Sequence, residues 1–202
     1  METRNPSASF ISTIFSRQEF DGSVKRISSG LRRKAQNISL LLLDVDGVLT
    51  DGRIIIDDRG VETKHFHVRD GQGIALLLRA GIDVGLMTSR SSSSVRHRAK
   101  ELGIRLVYQN VRDKMTTYNE IKRRCRLSDE QVAYMGDDLI DLLTLREAGL
   151  ALSVADGWSG LRGTVDYVTT RPGGQGAVRE VAEMILRAQG KWAGLLEKFA
   201  KK

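Results

Sequence analysis

The sequence predicts an α/β fold in which a parallel sheet carries helices on both faces. Short apolar runs recur at residues 40–45, 82–87, 106–108, 132–135 and 150–154, the first of them opening on four consecutive leucines, as a strand buried on both faces requires. Helix-like segments at about residues 71–80, 91–102, 114–125 and 138–148 separate them, so the chain reads as successive βα units. Such crossovers are right-handed and line the carboxyl ends of the strands along one edge, where a site is expected; this is the Rossmann-like arrangement. One segment departs from it. Residues 53–56 and 61–66 are β-prone and flank Asp57-Asp58-Arg59-Gly60, whose turn chemistry predicts a small β-hairpin flap with no large cap domain.

Residues 1–29, polar and basic with little periodicity, read as a mobile N-terminal extension ahead of a domain over residues 30–190. From Gly30 the pattern LRRKAQNI supplies a short helix leading into the first strand. The four serines at residues 91–94 begin the third helix-like region, with hydroxyls capping free backbone N–H groups. Gly173-Gly174-Gln175-Gly176 precedes AVREVAEMIL, whose spacing fits a helix packed on the sheet; the loop reads either as an anion seat or as a flexible turn. Residues 191–202 form an amphipathic tail with Trp192, Leu195, Leu196 and Phe199 available for one face, which predicts a subunit contact in preference to a membrane surface.

Composition narrows the class. A chain of 202 residues, 41% apolar and 28% charged, suits one globular domain with a tail. Of the net charge of +7, residues 1–38 hold +4, from seven Lys or Arg against three acids. The remainder is too evenly mixed for a phosphate-backbone groove, so no nucleic-acid partner is expected. A single cysteine, Cys125, permits no disulfide framework and reads as a free thiol. No apolar run reaches the roughly 18 residues of a membrane span. With no secretory pattern in METRNPSASF, a cytoplasmic setting and no membrane partner are expected.

The strongest local signal is LLLLDVDGVLTDG, where a buried strand delivers Asp44 and Asp46 to Gly47. Residues two apart on a strand point the same way. Two carboxylates held together repel, and a cation, a shared proton or separate hydrogen-bond partners must sustain them. The other strand ends supply matching groups: Thr88 after residues 82–87, Lys114 at a helix start after 106–108, and Asp137 with Asp138 and Asp141 after 132–135. Singly each is ordinary, since Thr88 fits a helix cap, Lys114 a solvated first-turn lysine and GDDLID a cap and turn. Jointly they offer hard oxygen ligands for Mg²⁺, plus a hydroxyl and an ammonium for phosphoryl oxygens. Phosphoryl transfer is the predicted chemistry.

DVDGV, Thr88, Lys114 and GDD, in that order and spacing, resemble the four motifs of the haloacid dehalogenase superfamily of phosphatases, over residues 30–190. More narrowly, FHVRDGQGI, TSRSSSSVRHRAKELGI, VAYMGDDLIDL and RPGGQGAVREVAEMILRAQGK resemble the sugar acid phosphatases of lipopolysaccharide synthesis that act on 3-deoxy-D-manno-octulosonate 8-phosphate. The resemblance implies Asp44 as nucleophile forming an aspartyl phosphate, Asp46 as acid and then base, and Thr88 and Lys114 as the phosphoryl cradle. It also implies Mg²⁺ held by Asp44, Asp137 and the backbone carbonyl of Asp46, with Asp138 and Asp141 behind them. A depressed pKa suits Asp44, with Mg²⁺ supplying the bias.

For substrate, the resemblance implies contacts from His67, Val68, Arg69, Asp70, Gly71, Arg90, Arg98, Asp46 and Lys114, and arginines suit the carboxylate of a 2-keto sugar acid. The small flap leaves the site open, and the resemblance implies a homotetramer in which a neighbouring subunit closes it. Two positions depart from the pattern: His67 stands where relatives often show Asn, and Ala75 where they often place Arg. These leave room for a nine-carbon 2-keto-3-deoxy acid 9-phosphate. A third alternative is a catalytically idle scaffold. His65 reads as structural.

Overall fold

The computed structural model describes residues 27–200, so most of the extension expected over residues 1–29 lies outside the described residues. The elements run α1 (Ser29–Asn37), β1 (Leu40–Leu43), β2 (Ile55–Ile56), β3 (Glu62–Thr63), α2 (Val68–Arg79), β4 (Asp83–Met87), α3 (Ser93–Leu102), β5 (Leu106–Tyr108) and α4 (Lys114–Cys125). After these come β6 (Val132–Gly136), α5 (Leu142–Glu147), β7 (Leu150–Ser153), β8 (Tyr167–Val168), α6 (Ala177–Ala188) and α7 (Trp192–Ala200). Six strands form one parallel sheet in the order β5-β4-β1-β6-β7-β8, while β2 and β3 pair antiparallel as a separate hairpin. The parallel α/β sheet and the small hairpin flap are those the sequence predicts.

The sheet has a core on each face. Leu41 and Leu43 join the cluster under α1, α2, α3, α6 and α7, whereas Leu40 and Leu42 join the cluster under α4 and α5. A strand buried on both sides cannot alternate polar with apolar, which is why β1 is all leucine. Burying each leucine stabilises the fold by about 2 kcal/mol. The chain runs from β1 outward to β4 and β5, then returns to β6 on the other side of β1. The strand order therefore reverses between β1 and β6, and ligands of such sheets bind outside the carboxyl ends at that point.

Several local expectations are corrected. β1 ends at Leu43 and not at residue 45, because the Val45 carbonyl accepts from the N–H groups of Val48, Leu49 and Thr50 and so curls the chain into a tight turn. β8 has only two residues, too few for a periodic signal, and the sequence reading passes over it. Ser92 stands at the N-cap of α3 without capping it; its hydroxyl donates to Glu62 of the flap. Part of the apolar face of α7 packs within the chain. Trp192 and Leu195 are buried in the core, with Arg179 and Arg187 over the indole at 5.5 and 4.9 Å from the ring centre. The Phe199 side chain lies outside those described. No helix among the described residues is long and apolar enough to cross a membrane.

Candidate active site

Three strand ends and the start of α4 deliver the site. Asp44 follows β1 directly, and its backbone N–H donates to the Met135 carbonyl of β6 at 2.9 Å. Thr88 follows β4, 2% exposed, and its hydroxyl oxygen accepts from the Arg90 N–H at 3.2 Å. Lys114 opens α4, a helix capped by the Asp113 carboxylate on the N–H groups of Met115 and Thr116. Its Nζ lies 3.1 Å from Asp44 Oδ2 and 2.5 Å from Asp141 Oδ1.

Asp141, read from the sequence as a support, proves to be the hub. It is fully buried. Oδ1 accepts from Lys114 and from the Tyr134 hydroxyl, and Oδ2 accepts from the backbone N–H groups of Asp137 at 3.0 Å and Asp138 at 3.2 Å. Gly136 makes the approach possible, since a Cβ there would overlap the Asp141 carboxylate. Asp138 turns outward to cap the short helical turn at Leu139, accepting from that N–H at 2.7 Å. Burial and the Asp141 charge push the Tyr134 hydroxyl well above the ordinary tyrosine range, so it remains a donor.

The site holds more negative than positive charge. Oxygens of Asp44, Asp137 and Asp141 lie within 4.8 Å of one another, with Lys114 as the ammonium among them. Burial, and then the Asp141 charge working against Lys114, raise Asp44 to about 6. Burial followed by Asp44 and Asp141 raises Asp137 to about 7. The depressed pKa expected for Asp44 is thus not a property of the protein alone. Burial pulls the Lys114 ammonium down, but Asp44 and Asp141 outweigh it and hold it above the ordinary lysine range. An all-oxygen donor set with unmet negative charge fits a hard divalent cation. Asp141 is committed to four protein donors, so Asp44 and Asp137 are the carboxylates left to ligate.

A pH dependence follows. Both carboxyls bind protons more tightly folded than unfolded, so without metal they favour folding below the ordinary carboxyl range, and stability falls as pH rises through 6 to 7. A cation bound to the ionised pair reverses that loss. The increase in unfolding temperature given by Mg²⁺ is expected to grow across about pH 5 to pH 8. An increment independent of pH would contradict this electrostatic account.

Two glycine segments lock the loop after β1. Gly47 has φ +88, and a Cβ on it would overlap the Asp137 carboxylate. Gly173 packs on the Gly47 carbonyl so closely that a Cβ would coincide with it, while the Gly174 N–H donates to the Val48 carbonyl at 2.9 Å. The Gly173 N–H in turn donates to Asp156 at 2.9 Å. The glycine loop buttresses the aspartate loop, a contact that the sequence does not reveal. Gly47→Ala is expected to displace Asp137 and raise the Mg²⁺ concentration for half-maximal activity about 10-fold or more. Titrating activity with metal checks this, and an unchanged midpoint would refute it.

No family model matches the sequence. The 3-deoxy-D-manno-octulosonate 8-phosphate phosphatase KdsC of Escherichia coli (strain K12) is 44% identical over 165 residues, covering 82% of this chain and 88% of that protein. The chain belongs to the 3-deoxy-D-manno-octulosonate 8-phosphate phosphatase family. The crystal structure of the Moraxella catarrhalis phosphatase, in complex with magnesium ion, phosphate ion and a KDO molecule, is 44% identical with a TM-score of 0.82, covering 84% of this chain and 97% of that one. The cobalt-bound Haemophilus influenzae phosphatase is 42% identical with a TM-score of 0.76, covering 78% and 92%. The fold is the haloacid dehalogenase-like one that the motifs imply.

In this member of the phosphatase family, the substrate-contacting set expected from the sequence divides in two. His67, Asp70, Gly71 and Arg98 line one small cleft with Phe66 and Leu86. Arg98 lies across Gly71, where a Cβ would overlap its guanidinium, and pairs with Glu101 at 2.8 Å. His67 caps α2, its Nδ1 accepting from the Arg69 N–H at 3.2 Å. An Asn oxygen could accept the same hydrogen bond. Asp70 is buried and commits both oxygens to the backbone N–H groups of Gly176 and Arg179, at 3.1 and 2.8 Å, so it holds the start of α6. Val68 and Arg69 are exposed.

Arg90 belongs to a second group, bound to the Glu62 carboxylate of the flap at 2.7 Å. Glu62 also stands 3.5 Å from the Lys64 ammonium, which hydrogen-bonds Asp46. Neither Glu62 nor Lys64 is found by the sequence reading. The available signal is the alternation at residues 61–66, where Val61, Thr63 and His65 are exposed while Glu62, Lys64 and Phe66 turn inward. It is easily missed because the polar members face in.

Proposed function

We propose that this protein hydrolyses 3-deoxy-D-manno-octulosonate 8-phosphate to the free sugar acid and phosphate, with Mg²⁺, as a phosphomonoesterase of lipopolysaccharide sugar synthesis. The observation that carries this reading is the convergence of Asp44, Lys114, Asp137 and Asp141 at the β1/β6 switch point, in a chain 44% identical to phosphatases of that name. Asp44 attacks phosphorus as the sugar alkoxide departs with a proton from Asp46. Water then attacks the aspartyl phosphate, giving its proton back to Asp46 and releasing Asp44, so that one hard displacement becomes two easier ones. Lys114 and Thr88 are the groups suited to hold the phosphoryl oxygens, and Lys114 keeps Asp44 ionised. Asp44, Asp137 and the Asp46 carbonyl would hold Mg²⁺, which supplies charge neutralisation at the phosphoryl group.

The exposed hairpin supports a homotetramer. Ile54, Ile56 and Val61 are each more than half exposed on the flap, a surface that a neighbouring subunit would cover and that would bring it over the open site. Size-exclusion chromatography with light scattering gives the subunit number. The cytoplasmic setting belongs to the same proposal.

Parallel phosphate-release assays with Mg²⁺ test the reading. The 8-phosphate is expected to have the higher kcat/KM; faster turnover of a nine-carbon 9-phosphate would move the assignment to that acid. No release from either ester would leave the scaffold reading.

A further inference from the structure

Lys64 carries an ammonium into the interior from a flap whose neighbouring side chains face solvent. Its side chain is 1% exposed, while Ile55, Ile56 and Val61 on the same hairpin are exposed. An enclosed ammonium is unfavourable unless carboxylates compensate it. Two do so. Lys64 Nζ hydrogen-bonds Asp46 Oδ1 and lies 3.5 Å from Glu62 Oε1. Glu62 is fixed in turn by the Arg90 guanidinium and the Ser92 hydroxyl, both anchored just past β4. Asp46 sits in the turn after β1 with a side chain 23% exposed, and its carboxylate has no other side-chain hydrogen-bond partner among the described residues.

Taking Asp46 as the group that protonates the departing oxygen, as proposed above, we infer that Lys64 is a positioning residue whose flap-borne, buried ammonium aims the Asp46 carboxylate at the leaving group. A general acid works only within about 2.6 to 3.2 Å of the atom it protonates. A carboxylate on two free torsions meets that condition for part of the time; one tethered at Oδ1 presents Oδ2 in a fixed direction. The tether starts on the hairpin and the acid on the sheet edge, so seating the flap and aiming the acid are one event. Lys64 itself is enclosed by Asp46 and Glu62 and does not touch substrate, so its contribution belongs to proton delivery and not to affinity.

The test compares two esters on the full-length protein. The sugar alkoxide of the 8-phosphate needs a proton to leave, whereas the phenolate of p-nitrophenyl phosphate does not. With Lys64→Met, kcat/KM, which reports events up to phosphorylation of Asp44, is expected to fall about 10²-fold for the sugar ester and less than about three-fold for the aryl ester. In an Asp46→Asn background the same substitution is expected to add less than about three-fold on either ester. Lys64→Arg, which can still hold a carboxylate, is expected to keep the ratio of the two esters within about tenfold of wild type.

Equal losses on both esters, or an undiminished loss in the Asp46→Asn background, would overturn the inference. Circular dichroism establishes that the variant folds; if Lys64→Met does not, Glu62→Gln is measured in the same way. That variant must show the same preferential loss on the sugar ester, and a non-selective loss counts against the inference. Wild-type protein active on both esters, with Lys64→Met indifferent to the leaving group, overturns this inference alone. Wild-type protein active on neither removes the proposed function and the inference with it.

Discussion

Asp44→Asn is expected to lower kcat on the sugar acid phosphate by about 10⁴-fold or more while the protein stays folded. An amide has no anionic oxygen with which to attack phosphorus, and no neighbouring group can replace it: Asp141 is held by Lys114, Tyr134 and two backbone N–H groups. Stability is expected to move the other way. Burial and the Asp141 charge raise Asp44 to about 6, so at pH 8 the metal-free wild type carries a carboxylate that resists ionisation in place. Removing that charge is expected to leave the metal-free unfolding temperature equal to or above wild type at pH 8. Opposite movements of activity and stability separate loss of a nucleophile from loss of a fold. Substantial turnover in a folded Asp44→Asn protein would end the assignment of the nucleophile.

Lys114→Met is expected to destabilise the fold as well as abolish turnover. The ammonium lies between Asp44 and Asp141, all three side chains less than a tenth exposed. Removing one partner of a buried ion pair leaves uncompensated charge, a loss of about 3 to 5 kcal/mol. The pH dependence identifies the cause. Without Lys114 the neighbouring carboxyls are easier to protonate, so the deficit is expected to be largest at neutral to alkaline pH and to shrink as pH falls. Urea denaturation of metal-free protein at several pH values measures it. A deficit that stays constant would point to lost packing of the lysine stem and against the buried charge.

Much of the fold was legible locally. The all-leucine β1, the apolar runs of β4 to β7 and the helix at Lys114–Cys125 followed from length and period, because each pattern is written over consecutive residues. The same holds for Asp44, Thr88 and Asp137, since a polar residue at the end of a buried strand is visible without knowing its partners, and for Lys114, which opens the helix after β5. Element ends were less legible. Whether Ser92 caps α3 depends on a flap carboxylate 30 positions earlier, and its hydroxyl is committed to Glu62. Nothing local in the C-terminal tail shows that Trp192 and Leu195 enter the chain's own core.

The chemical groups of the site, their order, and their arrival at one edge of a parallel sheet are all written in the chain, because right-handed βα crossovers leave no other place for the strand ends. How those groups divide the work depends on folding. It made Asp141 the hub through Lys114, 27 residues away. It set the glycine loop at Gly173 against the backbone of Gly47, and turned Lys64 inward onto Asp46. These relations are contacts between segments distant along the chain. A period of two or 3.6 residues records which face a side chain occupies, but not which partner folding brings to meet it.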